Sequence, residues 1–347
     1  MKSKPTATSA APRALRDTLG RPLHDLRISV TDRCNLRCTY CMPEEHFGEK
    51  YKFLERRDLL SFEEITVVAR AVAQLGGAKL RITGGEPLLR KDLPVLIAML
   101  REIPGIEDIA LTTNGLLLPQ FAQPLRDAGV QRITVSLDSL DDATLAGISG
   151  RPIGASDVLA GVDAAQAAGF DMVKVNAVIQ KGVNDDDIVP LARHFRGTNV
   201  IVRFIEFMDV GTLNGWKRDR VVTGAEMVRR IEELFPLEPV RPNYTGEVAS
   251  RYRYVDGQGE VGFITSVSQP FCGNCSRLRL APNGELYTCL FGNTGHALKP
   301  LFQDGATETQ LRDYIQSVWL HRGDRYSEIR TEETTSSDKV EMYHIGG

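Results

Sequence analysis

Short β-rich runs alternate with helical patterns through more than half of the chain, and this alternation restricts the possible folds more than any other feature. Six runs have the composition of strands, at residues 26–31, 79–84, 109–115, 132–138, 173–179 and 202–207. Helical patterns lie between them, at about residues 61–76, 92–101, 119–128, 156–168 and 187–196. Strands that alternate with helices form βαβ units around a parallel sheet. The sequence therefore predicts an α/β protein built on an incomplete (β/α)6 barrel of the triose-isomerase-like type.

Polar side chains recur at alternate positions of these strands and so share one face of the predicted sheet. The basic members of this face are Arg27, Lys79, Arg81, Lys174 and Arg203. Parallel strands covered on both faces are nearly all apolar, so we expect the apolar face to pack on helices and the polar face to line an open lumen. Five cations in one cavity repel each other unless an anion compensates them, which predicts a polyanion site. The alternative is an antiparallel sheet whose polar face is solvated.

The composition excludes several classes of protein. The 347 residues are 42% hydrophobic and 25% charged, with a formal net charge of −3. That charge gives no global basic field and argues against a dedicated nucleic-acid-binding protein. The sequence contains no run of about 18 apolar residues, so it predicts no membrane-spanning helix. Residues 1–20 lack the apolar stretch of a secretory signal, so we expect a disordered N-terminal segment and a cytoplasmic protein.

The six cysteines form two groups of three, Cys34, Cys38 and Cys41 near one end and Cys272, Cys275 and Cys289 near the other. The first triad follows the first strand, at the carboxyl end where β/α barrels carry their active sites. A zinc site usually has four ligands, and His46 could complete the first triad and His296 the second. An iron–sulfur cube is usually held by four cysteines, so three would leave one iron open to another ligand. The spacing alone leaves both alternatives open.

The C-terminal part has a different pattern from the barrel. Residues 251–270 indicate antiparallel strands, and Asn283–Gly284 indicates a hairpin turn, which together predict a small β-rich cap bearing the second triad. Arg277 and Arg279 are two residues apart and so share one side of a strand beside Cys275. They are either contacts to an anion or solvated residues of an edge strand. We therefore divide the chain into residues 1–20, a partial barrel at 21–220, the second-triad region at 221–331 and a tail at 332–347.

The motif "CNLRCTYC", with "TGGEP" after the second strand, resembles the signature of the radical S-adenosylmethionine superfamily. In that segment the glycines would permit close backbone approach, and Glu86 offers an acceptor for a ligand. With both triads considered, the chain is similar to one family within it, the GTP 3′,8-cyclases of molybdenum-cofactor biosynthesis. The similarity runs from about residue 20 to the end, through "DLRISVTDRCNLRCTYCMP", "RITGGEPLLRKDL", "VNAVIQKGVND", "RFIEFMDVG", "ITSVSQPFCGNCSRLRL" and the final "IGG". No motif position departs from the family pattern.

The resemblance implies a role for each matched residue. Cys34, Cys38 and Cys41 would hold one [4Fe-4S] cluster, and Cys272, Cys275 and Cys289 a second whose open iron binds guanine. The residues implied to contact S-adenosyl-L-methionine are Tyr40, Gly85, Ser136 and Met208. Those implied to surround GTP are Arg27, Lys79, Arg81, Thr112, Lys174, Arg203, Arg277 and Arg279. Among these, Arg27, Arg277 and Arg279 are the expected catalytic residues. The end at Gly346–Gly347 resembles a double glycine that reaches into the active site.

The implied reaction is a radical cyclisation of GTP to (8S)-3′,8-cyclo-7,8-dihydroguanosine 5′-triphosphate. A 5′-deoxyadenosyl radical removes the C3′ hydrogen, C3′ bonds to C8 of guanine, and one electron and a proton complete the product. The resemblance also implies an external electron donor, a downstream enzyme of molybdopterin synthesis and a family that often dimerises. Two alternatives remain: a radical enzyme that modifies a peptide, and a zinc-stabilised binding protein with two Cys3His sites.

Overall fold

A computed structural model describes residues 15–244, 246–331 and 339–346 of the chain. All six predicted strands are present, each within two residues of the predicted ends: β1 (Asp25–Ser29), β2 (Lys79–Thr83), β3 (Asp108–Thr113), β4 (Arg132–Ser136), β5 (Val173–Ile179) and β6 (Val200–Glu206). Six helices lie between them: α1 (Phe62–Gln74), α2 (Leu93–Arg101), α3 (Leu118–Ala128), α4 (Asp142–Ser149), α5 (Ala155–Ala167) and α6 (Ile188–Phe195). Of these, the short α4 was not predicted.

The described residues after β6 form four more α-helices and six more strands. They are α7 (Gly224–Glu232), β7 (Leu237–Val240), β8 (Ser250–Tyr254), β9 (Glu260–Ile264), β10 (Arg277–Leu280), β11 (Glu285–Tyr287), β12 (His296–Ala297), α8 (Lys299–Gln303), α9 (Glu308–Leu320) and α10 (Met342–Ile345). Across the described residues, none of the helices is both long and apolar enough to cross a membrane.

All twelve strands belong to one sheet, in the order β12-β11-β10-β1-β2-β3-β4-β5-β6-β9-β8-β7. The strands β1 to β6 are parallel neighbours in chain order, as the βαβ alternation predicts. The C-terminal strands extend this sheet at both edges, with β10 parallel to β1 and β9 parallel to β6. The predicted β-rich C-terminal part is present, and its strands extend both edges of the parallel sheet, which stays an open, incomplete barrel across the described residues.

The apolar faces of the strands form the core with the helices. Leu26 and Ile28 of β1 are fully buried, whereas Arg27 between them faces the lumen side, as the alternation predicts. The predicted capping box begins α1, where the Ser61 hydroxyl accepts from the Glu64 N–H at 3.1 Å and the Glu64 carboxylate accepts from the Ser61 N–H at 2.7 Å.

Residues 15–20 correct the expectation of a disordered segment that extends to residue 20. The backbone N–H of Leu15 donates to the Leu75 carbonyl, Arg16 forms a β-bridge with Pro22, and the buried Asp17 carboxylate pairs with Arg21. The bond between Leu15 and Leu75 joins positions sixty residues apart, so no local pattern indicated that this segment packs on α1. Residues 1–14 lie outside the described residues.

The buried carboxylate of Glu206, at the end of β6, joins the barrel to the C-terminal region. One carboxylate oxygen accepts from the Gly224 N–H at the start of α7 (2.8 Å) and from the Ser268 hydroxyl. The other accepts from the N–H groups of Val267 and Ser268, both at 2.8 Å, in the turn after β9. The side chain is fully buried, so these four donors are satisfied by one residue away from water.

We expect Glu206→Ala to lower the free energy of unfolding by about 3 kcal/mol, because it leaves buried N–H groups without acceptors. The matched control is Glu238→Gln, which removes an exposed pair with Arg253 and should cost less than about 1 kcal/mol. Urea denaturation followed by circular dichroism under anaerobic conditions measures both. Equal losses in the two variants would contradict the role assigned to Glu206.

Candidate active site

A cavity of about 1450 Å³, including its open mouth, lies on the polar side of the parallel strands. Most of the predicted substrate contacts line it, together with the predicted cosubstrate contact Met208 and the second triad. The substrate contacts are Arg27, Arg81, Thr112, Lys174, Arg203, Arg277 and Arg279, and the triad is Cys272, Cys275 and Cys289. The strand alternation had placed the basic residues of β1, β2, β5 and β6 on one face. The structure adds the basic residues of β10, because that strand pairs with β1.

The strand register sets three arginines side by side at one level of the sheet. Arg27 of β1 is the partner of Arg279 on β10 and of Arg81 on β2. Neighbouring strands are about 4.8 Å apart, and like charges directly opposite each other destabilise a sheet. We call Arg279, Arg27 and Arg81 the arginine row. Such a row is electrostatically unfavourable unless an anion lies against it.

Arg81 and Arg203 have neutral hydrogen-bond partners within the cavity. Arg81 donates to the Thr112 hydroxyl at 3.1 Å, and Arg203 donates to the Asn176 side-chain oxygen at 2.9 Å. Both also donate to the hydroxyl of Thr134, at 3.4 and 3.3 Å. Within the described residues, no salt bridge joins a carboxylate to the arginine row, Lys174, Arg203 or Arg277. The positive charge therefore remains available to a ligand.

Burial and repulsion between neighbouring cations lower the pKa values of Lys174 and Arg27. Burial and the neighbouring Arg203 and Arg132 lower the pKa of Lys174 to about 8. Burial, Arg279 and Arg81 together hold the pKa of Arg27 well below its usual range. A bound polyanion would reverse both effects, because it favours the charged forms.

The loop that carries the first triad packs directly on the Gly84–Gly85 segment after β2. The N–H of Gly85 donates to the Thr31 carbonyl and that of Glu86 to the Arg33 carbonyl, both at 2.8 Å. A Cβ atom at Gly85 would lie 2.3 Å from the Arg33 oxygen, which no side chain tolerates. The sequence assigned these glycines to close backbone approach, and the close approach here is to the cysteine loop.

Two buried carboxylates fix the strand ends around that loop. Glu86 accepts from the Thr113 hydroxyl and the Asn114 N–H, both at 2.8 Å, and from the Leu88 N–H at 3.0 Å. Burial raises the pKa of Glu86 to about 7, against the effect of these hydrogen bonds. The acceptor that the sequence offered for a ligand is thus used within the protein.

Asp138, after β4, is the second of these carboxylates. It accepts from the Tyr40 hydroxyl and from the Val178 N–H, both at 2.8 Å, and burial raises its pKa to about 6. Tyr40 is thereby held within the cysteine loop. Ser136 lies at the end of β4, two residues before Asp138.

The donor set of the first triad fits an iron–sulfur cluster. All three thiols are free and partly buried, and burial raises the pKa of Cys34 to about 11. Burial holds the pKa of Cys38 well above its usual range, and the nearby charges of Cys34, Asp138 and Cys41 raise it as well. Ferric and ferrous iron would relieve that repulsion, because the cluster binds thiolates.

The second triad fits the same kind of group in a more basic setting. Arg277 donates to the Cys275 sulfur at 3.2 Å. Burial raises the pKa of Cys275, but Arg277 and Arg322 outweigh burial and lower it to about 6. The site therefore favours a thiolate before any metal binds.

No three or more His, Cys, Asp or Glu side chains among the described residues are arranged to hold a single metal ion. An iron–sulfur cluster does not require the three cysteines to converge on a single ion, because each cysteine binds a different iron atom. His46 and His296 therefore do not complete a one-ion site with either triad in the described part of the chain.

The C-terminal tail enters the same region. Arg279 donates to the carbonyls of Ile345, at 3.3 Å, and Gly346. A Cβ atom at Gly346 would lie 2.6 Å from the Thr83 hydroxyl at the end of β2. The buried Lys339 ammonium anchors the tail through the Asp209 carboxylate and carbonyl, both at 2.9 Å. Gly347, the second glycine of the predicted pair, lies outside the described residues.

Lys79 does not line the cavity with the other predicted cations. Its ammonium lies 3.4 Å from the ring centre of Tyr244, and the Tyr244 side chain lines the cavity instead. The β7–β8 loop was too irregular in sequence to predict this cover. Arg132, paired with Asp108, also lines the cavity. It has the same strand parity as Thr134 and Ser136, so the alternation could have identified it.

Two family models match the chain. The model of the radical SAM superfamily matches residues 28–195, and the model named Molybdenum Cofactor Synthesis C matches residues 200–328. Among solved structures, SuiB of Streptococcus suis bound to S-adenosylmethionine has a TM-score of 0.59 at 16% identity, over 92% of this chain and 76% of that chain. At that identity the likeness shows the fold alone.

Curated relatives match at much higher identity. The chain is 51% identical to the GTP 3′,8-cyclase of Acidothermus cellulolyticus, over 96% of this chain and 99% of the relative. It is 52% identical to the GTP 3′,8-cyclase of Xanthomonas campestris pv. campestris, over 98% of each chain. It is 51% identical to that of Staphylococcus saprophyticus, over 96% and 99%.

We expect Gly85→Ala to displace the first cysteine loop, because the added methyl group meets the Arg33 backbone. Anaerobically reconstituted protein should then lose about half of its iron and sulfide. The control is Gly147→Ala in α4, where a Cβ atom meets nothing within 4 Å. Full iron content in Gly85→Ala, with the fold checked by circular dichroism, would contradict this packing role.

Proposed function

The chain belongs to the GTP 3′,8-cyclase family of the radical SAM superfamily, and we propose that it cyclises GTP in the cavity described above. The proposed product is (8S)-3′,8-cyclo-7,8-dihydroguanosine 5′-triphosphate, at an early step of molybdenum-cofactor synthesis. The observation that carries the proposal is the arginine row, which faces one cavity together with Lys174, Arg203 and the second triad. A triphosphate provides the concentrated negative charge that this surface lacks.

Cys34, Cys38 and Cys41 would hold the cluster that acts on S-adenosyl-L-methionine, and Cys272, Cys275 and Cys289 the second cluster. When bound, the first cluster and S-adenosyl-L-methionine supply the radical that removes the C3′ hydrogen. The expected contacts to the cosubstrate are Tyr40, Gly85, Ser136 and Met208. Of these, Met208 lines the cavity, which is consistent with a cosubstrate bound next to GTP.

The residues of the chain bind and orient the substrate. Arg27, Arg81, Lys174 and Arg203 would hold the triphosphate from the strands of the barrel, with Thr112 beside Arg81 and Lys79 at the margin below Tyr244. Arg277 and Arg279 would contact GTP beside the second triad. Fixing both ends of GTP makes closure of the C3′–C8 bond effectively unimolecular. No general base is assigned, because the reacting hydrogen leaves as an atom rather than as a proton.

The family membership also bears on the partners. We propose an external one-electron donor, a cytoplasmic location and a downstream enzyme of molybdopterin synthesis that takes the product. A homodimer is a further proposal, and it rests on the family alone. The peptide-modifying alternative loses its support, because the structural likeness to SuiB is at 16% identity whereas the cyclase relatives are at about 51%. Family membership likewise disfavours the zinc-stabilised binding protein.

The test is release of 5′-deoxyadenosine by anaerobically reconstituted protein given dithionite and S-adenosyl-L-methionine, with and without GTP. We expect strong stimulation by GTP and a new cyclised nucleotide. The double variant Arg81→Ala, Lys174→Ala should lose GTP affinity and that stimulation. Cleavage indifferent to GTP would retain the superfamily and reject the substrate. No cleavage by protein loaded with both clusters would contradict the radical mechanism.

The pKa of Lys174 predicts how GTP affinity depends on pH. In the protein without GTP, Lys174 has a pKa of about 8. A bound triphosphate raises this pKa, so GTP binds most strongly at a pH where Lys174 is already protonated. Above about pH 8 the affinity should fall by about tenfold per unit, for one linked proton. Binding is measured by calorimetry without reductant or S-adenosyl-L-methionine.

In Lys174→Met the affinity should be roughly tenfold weaker at neutral pH and should lose the slope above about pH 8. Lys181→Met, at an exposed position after β5, is the control and should keep the wild-type slope. A wild-type slope in Lys174→Met would exclude this lysine as the titrating contact.

A further inference from the structure

Three charged side chains form a buried ionic network behind the second triad. The Asp17 carboxylate pairs with Arg21 at 2.6 Å and with Arg322 at 3.2 Å. All three side chains are at most 1% exposed. Asp17 and Arg21 lie in or next to the N-terminal segment, and Arg322 follows α9. We call this group the Asp17–Arg21–Arg322 network.

The two arginines of this network reach the backbone at all three arms of the triad. Arg21 donates to the Cys272 carbonyl at 3.0 Å, and Arg322 donates to the Cys275 carbonyl at 2.7 Å. Arg322 also donates to the carbonyl of Thr288, the residue before Cys289, at 3.0 Å. The network therefore ties the turn that carries Cys272 and Cys275 both to the residue before Cys289 and to the N-terminal segment.

One N–H donor group of the network has no hydrogen-bond acceptor in the described part of the chain. The Nη2 group of Arg21 is buried and has no hydrogen-bond partner there. Both arginines also line the cavity into which the three cysteines face. An unpaired buried guanidinium N–H is costly, unless a group absent from the protein itself accepts it.

The charge of the network is not balanced by buried groups. Two guanidinium groups face one buried carboxylate, and the nearest further acid, Asp324, lies 3.8 Å from Arg322 and is 35% exposed. Apolar side chains often give equal or greater stability than such a buried ionic group, so stability alone does not account for the network.

We propose that the Asp17–Arg21–Arg322 network positions the second triad and raises the reduction potential of the [4Fe-4S] cluster held there. The positive charge stabilises the more negative, reduced cluster, and Arg21 Nη2 donates a hydrogen bond to one of its sulfur atoms. Charge and hydrogen bonds to sulfur are the terms by which a protein sets such potentials. Arg21, Arg322 and Asp17 are positioning residues, and the inference rests on the proposed second cluster.

The experiment uses the full chain with Cys34, Cys38 and Cys41 replaced by Ser, so that only the second cluster is present. Its midpoint potential is measured by titration with detection by electron paramagnetic resonance. In Arg21→Met and Arg322→Met we expect the ratio of reduced to oxidised cluster at a fixed potential to fall about tenfold. For a one-electron couple this is a midpoint potential lower by about 59 mV. The lysine variants at the same positions should recover part of the shift, because they keep the charge.

Asp17→Asn gives the discriminating result. It removes the negative charge of the network, so the potential should rise, whereas structural damage would move all three variants in the same direction. The control is Arg251→Met on β8, which removes the pair with Glu260 at the start of β9. In the strand order β8 lies towards the opposite end of the sheet from β10, so this variant should leave the potential unchanged.

Each outcome decides the proposal. Opposite shifts for Arg21→Met and Asp17→Asn support it, as does loss of cluster from the methionine variants with retention in the lysine variants. Unchanged potentials, or shifts of the same sign, overturn it and leave the proposed function intact. If the parent chain binds no iron and sulfide at the second triad, the two-cluster function and this inference both fail.

Discussion

Repulsion between like charges at the centre of a parallel sheet is the constraint on which the rest of the structure depends. The arginine row is built by register, since its members lie at one level of three adjacent strands. Within the described residues, the hydrogen-bond partners of Arg81 and Arg279 are hydroxyl and carbonyl oxygens, and no member of the row forms a salt bridge. The fold holds these charges together only because an apolar core on the other face of the same strands, with Leu26 and Ile28 fully buried, opposes the repulsion. A surface of this kind sacrifices stability for affinity toward an anion.

The strand alternation predicted this arrangement as far as local pattern reaches. The positions of β1 to β6 and the inward face of Arg27, Arg81, Lys174 and Arg203 followed from period-two alternation and from the βαβ sequence of elements. The place of Arg277 and Arg279 in the same wall did not, because it depends on the pairing of β10 with β1, which are separated by most of the chain. The resemblance to a family supplied that contact where the residue pattern could not.

Other features left no local trace. Arg21 and Arg322 are ordinary charged residues in the sequence, and their burial arises only when the N-terminal segment meets the end of α9. Lys79 had the expected parity, but the irregular loop that places Tyr244 over it is not periodic. The glycines before Glu86 were assigned to close approach, yet only the folded chain shows that the approaching backbone is the cysteine loop. Sequence pattern thus located the faces, and long-range packing decided what each face meets.

The docking of β9 and β10 on the two edges of the barrel is linked to the binding of an anion. Without these flanking strands, Arg27, Arg81, Lys174 and Arg203 would keep more of their water, so part of the cost of burying the cations opposes the docking. An anion bound against the cations offsets that cost. The ligand therefore stabilises the same packing of the C-terminal strands that builds its own site.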